Sequence, residues 1–169
     1  MDDNVKHSGL YIMLCLIWGT TWLAIRVGLE DFAPFFSAGW RFLIAAVVFA
    51  MIIYRKKLPV PVDKKSMSIY FMLGWFSFFV PFGMVYWGEQ YVSSGLAAIL
   101  FAVYPFAISL FSYFFLKSEQ ITVKKVTGMI ISFTGVYTIF YSGISTSGDM
   151  YVLGMFMIFI SALMQAAVL

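Results

Sequence analysis

Six apolar runs, each about as long as a bilayer-crossing helix, fill most of this 169-residue chain. A helix that crosses the hydrocarbon core of a membrane needs about 20 mostly apolar residues. Only 11% of the residues are charged, against about 25% in an average soluble domain. The pattern predicts an all-α integral membrane protein, a bundle of about six transmembrane helices. The predicted spans are residues 10–29, 34–54, 68–90, 94–116, 126–143 and 150–169.

Lysine and arginine occupy alternate loops of this bundle. The loops after the second and fourth spans carry Arg55, Lys56, Lys57, Lys64, Lys65, Lys117, Lys124 and Lys125. The other loops carry acidic residues, Glu30, Asp31 and Asp149. Positively charged loops remain in the cytoplasm. We therefore predict a multi-pass protein of the inner or plasma membrane with a cytoplasmic N-terminus.

The chain lacks the residue patterns of an enzyme. Its one histidine, His7, lies in the N-terminal tail, so neither a zinc site nor a Ser-His pair can be built around it. The basic residues fall in short clusters between apolar runs, which excludes a nucleic-acid-binding surface. The sequence predicts no enzyme activity, no metal site and no cofactor.

Charged groups at membrane depth are costly and therefore suggest function. Arg41 lies seven residues after Pro34, about 10 Å into its span. It either lies in a cavity, binding an anionic group or pairing with Glu89, or extends to the interface. Arg26 is nearer the end of its span, where extension to the interface is the simpler interpretation. Glu89 is either a proton-coupling acid or a partly hydrated acid near one of these arginines.

Prolines within spans are a second signal. Pro81 and Pro105 each remove a backbone hydrogen bond near mid-membrane and are expected to kink their helices. The aromatic residues near these or other polar positions are candidates for lining a cavity, namely Trp18, Tyr86, Trp87 and Tyr104.

Short motifs follow one another in a characteristic order: WGTT at 18–21, AGWRFL at 38–43, YVSSGLAA at 91–98, YP at 104–105, LKSE at 116–119, and Gly128 through Gly135-Val136-Tyr137. Together they resemble the EamA-type branch of the drug/metabolite transporter superfamily, over about residues 10–145. The resemblance implies two five-helix repeats, inserted in opposite orientations, around a central cavity with alternating access.

The resemblance also implies a division of this chain and a function. Residues 1–145 correspond to the first five-helix repeat, and residues 146–169 to the first helix of a truncated second repeat. The implied function is secondary-active export of amino acids or other small metabolites. The partners would be the lipid bilayer and a small-molecule substrate. Association with another molecule would supply the missing helices. The residues expected to line or support the substrate cavity are Trp18, Thr20, Thr21, Arg41, Tyr86 and Tyr104; Glu119 is expected to order its loop.

Two other functions remain open on the sequence. The chain could be a non-transporting assembly or sensing subunit of a membrane complex. It could also be an oligomeric exporter similar to the small-multidrug-resistance family. That family carries an essential glutamate in its first span, whereas residues 10–29 contain no acidic residue.

Overall fold

The computed structural model describes residues 3–116, 122–146 and 148–168, which are helical apart from short turns. The helices are α1 (Asp3–Asp31), α2 (Pro34–Lys56), α3 (Lys64–Leu73), α4 (Val80–Gly88), α5 (Ser94–Phe101), α6 (Tyr104–Phe111), α7 (Val123–Thr146) and α8 (Asp149–Val168). A π-helical segment, Gly74–Phe79, joins α3 to α4, and a second, Ser112–Leu116, follows α6.

These elements coincide with the six predicted spans, and the prediction of an all-α membrane bundle is confirmed. Within the described part of the chain, five helical stretches are long and apolar enough to cross a membrane, by length and composition: His7–Asp31, Pro34–Lys56, Lys64–Gly88, Ser94–Phe115 and Asp149–Val168. Helix α7 occupies the position of the predicted fifth span. Lys117 and Glu119, with the loop-ordering role expected for Glu119, lie outside the described residues.

Local residues explain where the helices begin and end. Pro34 occupies the first turn of α2, where its missing N–H is harmless. Lys57 ends α2 in the left-handed region, at φ 50°. The Asp63 carboxylate accepts hydrogen bonds from the Ser66 N–H at 3.1 Å and hydroxyl at 2.7 Å, capping α3. These bonds lower the pKa of Asp63, which is exposed in the loop.

The regular α-helix of the third and fourth spans is interrupted near their prolines. Pro81 lies in the first turn of α4, directly after the π-helical segment. Pro105 lies in the first turn of α6, after a turn at Ala102 and Val103. Each proline therefore starts a new helical stretch within its span.

Helix α8 has the most buried face of the bundle and packs chiefly against α4, α6 and α5. Its buried residues recur every three or four positions: Gly154, Met155, Ile158, Ser161, Ala162, Gln165 and Ala166. The contact with α4 is closest at Gly88 and Gly154. A Cβ atom on Gly88 would lie 2.7 Å from the Gly154 carbonyl oxygen. Glycine is therefore needed for the two backbones to touch there.

Candidate functional site

A small recess opens between α1, α2, α4 and α5 and has a volume of about 220 Å³. We call it the Arg41 recess. Its lining is Ile17, Trp18, Thr21, Trp22, Ile25, Arg41, Phe82, Val85 and Phe101. Arg41 and Thr21 are the polar side chains of an otherwise apolar and aromatic lining. Small-molecule sites typically combine an apolar wall with a few placed polar groups.

Arg41 brings the only formal charge to this lining. Its guanidinium carbon lies 5.7 Å from the centroid of the Phe82 ring, within cation–π distance. The Arg41 side chain is exposed on the bundle surface, so its donors can reach a solute. It is Arg26, and not Arg41, that bonds to the Glu89 backbone.

The first span contributes one face of α1 to the recess. Trp18 and Thr21 are both in the lining, and the Thr21 hydroxyl donates to the Ile17 carbonyl oxygen at 2.7 Å. Thr20 lies outside the lining, and its hydroxyl donates to the Leu16 carbonyl oxygen at 2.7 Å. Both hydroxyls are therefore satisfied within their own helix.

The two tyrosines of the predicted set do not line the recess. Tyr86 is 2% exposed and belongs to the hydrophobic core. Tyr104 is half-buried and stacks on Phe101, with ring centroids 5.5 Å apart. Tyr104 therefore packs against Phe101, which lines the recess, whereas Tyr86 packs between helices.

Sequence reasoning missed three aromatic wall residues: Trp22, Phe82 and Phe101. The Trp22 and Phe101 rings lie 5.2 Å apart, which joins α1 to α5. Trp22 follows Trp18 by four residues, so helical periodicity could have placed it on the same face. Phe82 and Phe101 carried no comparable local signal.

A second charged cluster lies where α4 ends. The Arg26 guanidinium donates to the backbone carbonyl oxygens of Glu89, at 2.6 Å, and Gln90, at 3.1 Å. A cation at a helix C-terminus compensates the dipole of the unpaired carbonyl groups. Arg26 therefore joins the first span to the end of the third.

The Glu89 side chain is completely buried, at 0% exposure. Neither of its carboxyl oxygens has a hydrogen-bond partner among the described residues. The interpretation of Glu89 as a partly hydrated interfacial acid is therefore wrong, because packing of the neighbouring helices covers it. Within the described part of the chain, no three His, Cys, Asp or Glu side chains are grouped to hold a metal ion.

A larger groove of about 380 Å³ lies between α2, α4 and α8. Its lining consists of apolar and aromatic residues and glycine: Phe35, Phe79, Val80, Gly83, Met84, Trp87, Leu153 and Met157. It offers a solute no charged group, so the Arg41 recess is the better candidate for a site that binds polar molecules.

Comparison with known proteins identifies what this arrangement is similar to. Residues 8–141 match the EamA-like transporter family. The chain is 33% identical to protein PagO of Salmonella typhimurium over 165 residues, covering 98% of this chain and 54% of that protein. It is 34% identical over 125 residues to an uncharacterized transporter of Buchnera aphidicola, covering 73% of this chain and 41% of the relative.

A third relative, the uncharacterized transporter YoaV of Bacillus subtilis, is 30% identical over 129 residues, covering 76% of this chain and 44% of the relative. This chain thus spans about half the length of these relatives. No solved structure matches it significantly.

Proposed function

Because the chain belongs to the EamA-like transporter family, we propose that it forms half of a secondary transporter that exports amino acids or other small metabolites by alternating access. The observation that carries this proposal is the Arg41 recess, where a guanidinium lies among aromatic rings drawn from separate spans. The multi-pass helical fold supports it.

The recess suits a small solute that carries a negative group. A guanidinium offers several N–H donors in a planar fork and binds carboxylates in two-point fashion. The surrounding aromatic rings provide apolar contact for the rest of the molecule. We propose that Trp18, Thr21 and Arg41 contact the solute, and that Thr20, Tyr86 and Tyr104 hold the helices that carry them.

Glu89 is our candidate for the group that couples transport to protons. An ionised carboxylate that is buried without hydrogen bonds is strongly disfavoured, so this packing favours the protonated acid. Release of the proton would place a negative charge beside Arg26, whose guanidinium already lies on the Glu89 carbonyl oxygen. Protonation and deprotonation of Glu89 would then drive the opening and closing of this end of the bundle.

The chain spans about half the length of its relatives. We propose that residues 1–145 form one five-helix repeat and that residues 146–169 form the first helix of a second. Further helices, such as the longer relatives contain, would complete the cavity. A second copy in the opposite orientation is disfavoured, because lysine and arginine are concentrated in alternate loops.

Uptake of a radiolabelled amino-acid mixture into proteoliposomes tests the proposed function. We expect uptake by the wild-type chain to exceed that of empty liposomes, and Arg41→Ala to lower it at least tenfold. The matched control is Arg55→Ala, which removes an exposed arginine at the other end of the same helix and should leave uptake within twofold. Full uptake by Arg41→Ala would contradict the assignment of the recess.

A further inference from the structure

Two buried polar side chains on facing helices lack hydrogen-bond partners among the described residues. They are the Ser77 hydroxyl, in the π-helical segment of the third span, and the Gln165 amide nitrogen, on α8. Gln165 is 8% exposed. Neither residue belongs to the lining of the Arg41 recess.

The register of the two helices places Ser77 and Gln165 at the same depth. The third span and α8 are in backbone contact at Gly88 and Gly154. Ser77 lies eleven residues before Gly88, and Gln165 lies eleven residues after Gly154. The third and sixth spans run in opposite directions across the membrane. Both positions therefore lie on the same side of the glycine contact, about 16 Å from it along the bundle.

Both residues also belong to the faces that meet. On α8 eleven residues are about three helical turns, so Gln165 returns to the side of the helix that carries Gly154. On α8 the buried stripe runs from Gly154 through Ile158 and Ser161 to Gln165. Helix α8 contacts the π-helical segment as well as α4, and Ser77 is the one residue of that segment that is not exposed.

The Ser77 hydroxyl is buried without a hydrogen-bond partner among the described residues. The hydroxyls of Thr20, Thr134 and Ser161 each donate to a carbonyl oxygen of their own helix, at 2.7 to 2.8 Å. The Ser77 hydroxyl makes no such bond, and it lies in the π-helical segment. Single π-helical turns within α-helices occur frequently at functional sites.

An unpaired amide in this position carries a cost. Burial of an amide without a hydrogen bond costs about 1–3 kcal/mol in proteins, and a leucine would avoid that cost. The free groups are N–H and O–H donors, so they fit a hydrogen-bond acceptor.

We propose that Ser77 and Gln165 form a second contact point for the transported solute, which binds an acceptor oxygen of its carboxyl, carbonyl or hydroxyl group near the middle of the membrane. This inference rests on the proposed transport function. The solute would meet Arg41 in the recess and the Ser77–Gln165 pair at a separate position on the path.

Substitutions separate a solute contact from a structural pair. We expect Ser77→Ala and Gln165→Leu to lower uptake of the radiolabelled amino-acid mixture at least fivefold, while the melting temperature of the purified protein is unchanged or higher. Ser161→Ala is the matched control, because its hydroxyl is already bonded within its helix, and it should leave uptake within twofold. Unchanged uptake, or a fall in melting temperature in both test variants, would overturn the proposal.

A binding measurement distinguishes a solute from a trapped water and does not require transport. In a Cys15→Ser background, Ser77→Cys in liposomes is labelled by a methanethiosulfonate reagent. We expect the amino-acid mixture to slow this labelling at least threefold. Absence of labelling, or labelling that the mixture does not slow, would overturn the contact point. Uptake by the wild type without such protection would leave the proposed function intact; no uptake by the wild type would refute that function separately.

Discussion

Arg26 shows that a charged residue near the end of a span can have a structural role. Its guanidinium bonds to two carbonyl oxygens in the turn that follows α4. Hydrogen bonds to charged groups contribute about 1.5–3 kcal/mol each. We expect Arg26→Gln to lower the free energy of unfolding in detergent by about 2 kcal/mol, measured by chemical denaturation. Arg55→Gln is the control and should change it by less than about 0.5 kcal/mol.

Glu89 provides a second prediction for a single residue. Glu89→Gln keeps the shape of the side chain but cannot release a proton. We expect the purified variant to be at least as stable as the wild type at neutral pH, because a buried neutral amide replaces an acid whose ionised form is disfavoured by burial. In proteoliposomes its uptake should no longer respond to a pH gradient. A variant that responds as the wild type does would exclude Glu89 as the coupling group.

The sequence identified part of the candidate site for a physical reason. Arg41 stands out because a cation at membrane depth needs a compensating environment, and Trp18 and Thr21 share one face of a helix. Tyr86 was expected near the cavity, but the structure buries it in the core, because its position depends on which face of α4 packs inward. The sequence did not identify Gln165 as a buried polar residue, because its burial depends on which face of α8 packs inward.

The glycine contact between α4 and α8 supports a prediction for an element. A Cβ atom on Gly154 would lie 2.9 Å from the Gly88 carbonyl oxygen, so the helices must separate to accommodate it. We expect Gly154→Ala to lower the free energy of unfolding by about 1–3 kcal/mol. In the control, Gly39→Ala, the added Cβ meets no atom within 4 Å. That control should leave stability unchanged or raise it by up to about 1 kcal/mol.

The boundaries of the elements were more predictable than their packing. Proline, lysine clusters and capping residues act over a few positions, so the start of α2 at Pro34 and the cap at Ser93 follow from local sequence. The burial of α8 does not, since hydropathy is equally high in helices that face lipid. The hydropathy pattern of a sequence distinguishes apolar from polar surroundings. It does not show whether an apolar residue faces protein or lipid.

At the scale of the whole molecule, the exposure of Arg41 leads to a prediction about assembly. The Arg41 side chain is exposed, although a charge that faces lipid is costly. We therefore expect that the chain expressed alone self-associates, and that light scattering of the detergent-purified protein gives a mass of at least two copies. A monodisperse single copy that catalyses uptake would contradict this prediction.

Every functional proposal depends on six membrane crossings, five of which satisfy the length and hydropathy expected of a span. The decisive measurement is the protease accessibility of epitope tags at the two chain ends in oriented membrane vesicles. An even number of crossings predicts that both tags are cleaved from the same side, and the basic loops predict that this side is cytoplasmic. Cleavage of the two tags from opposite sides would show an odd number of crossings and would contradict the account.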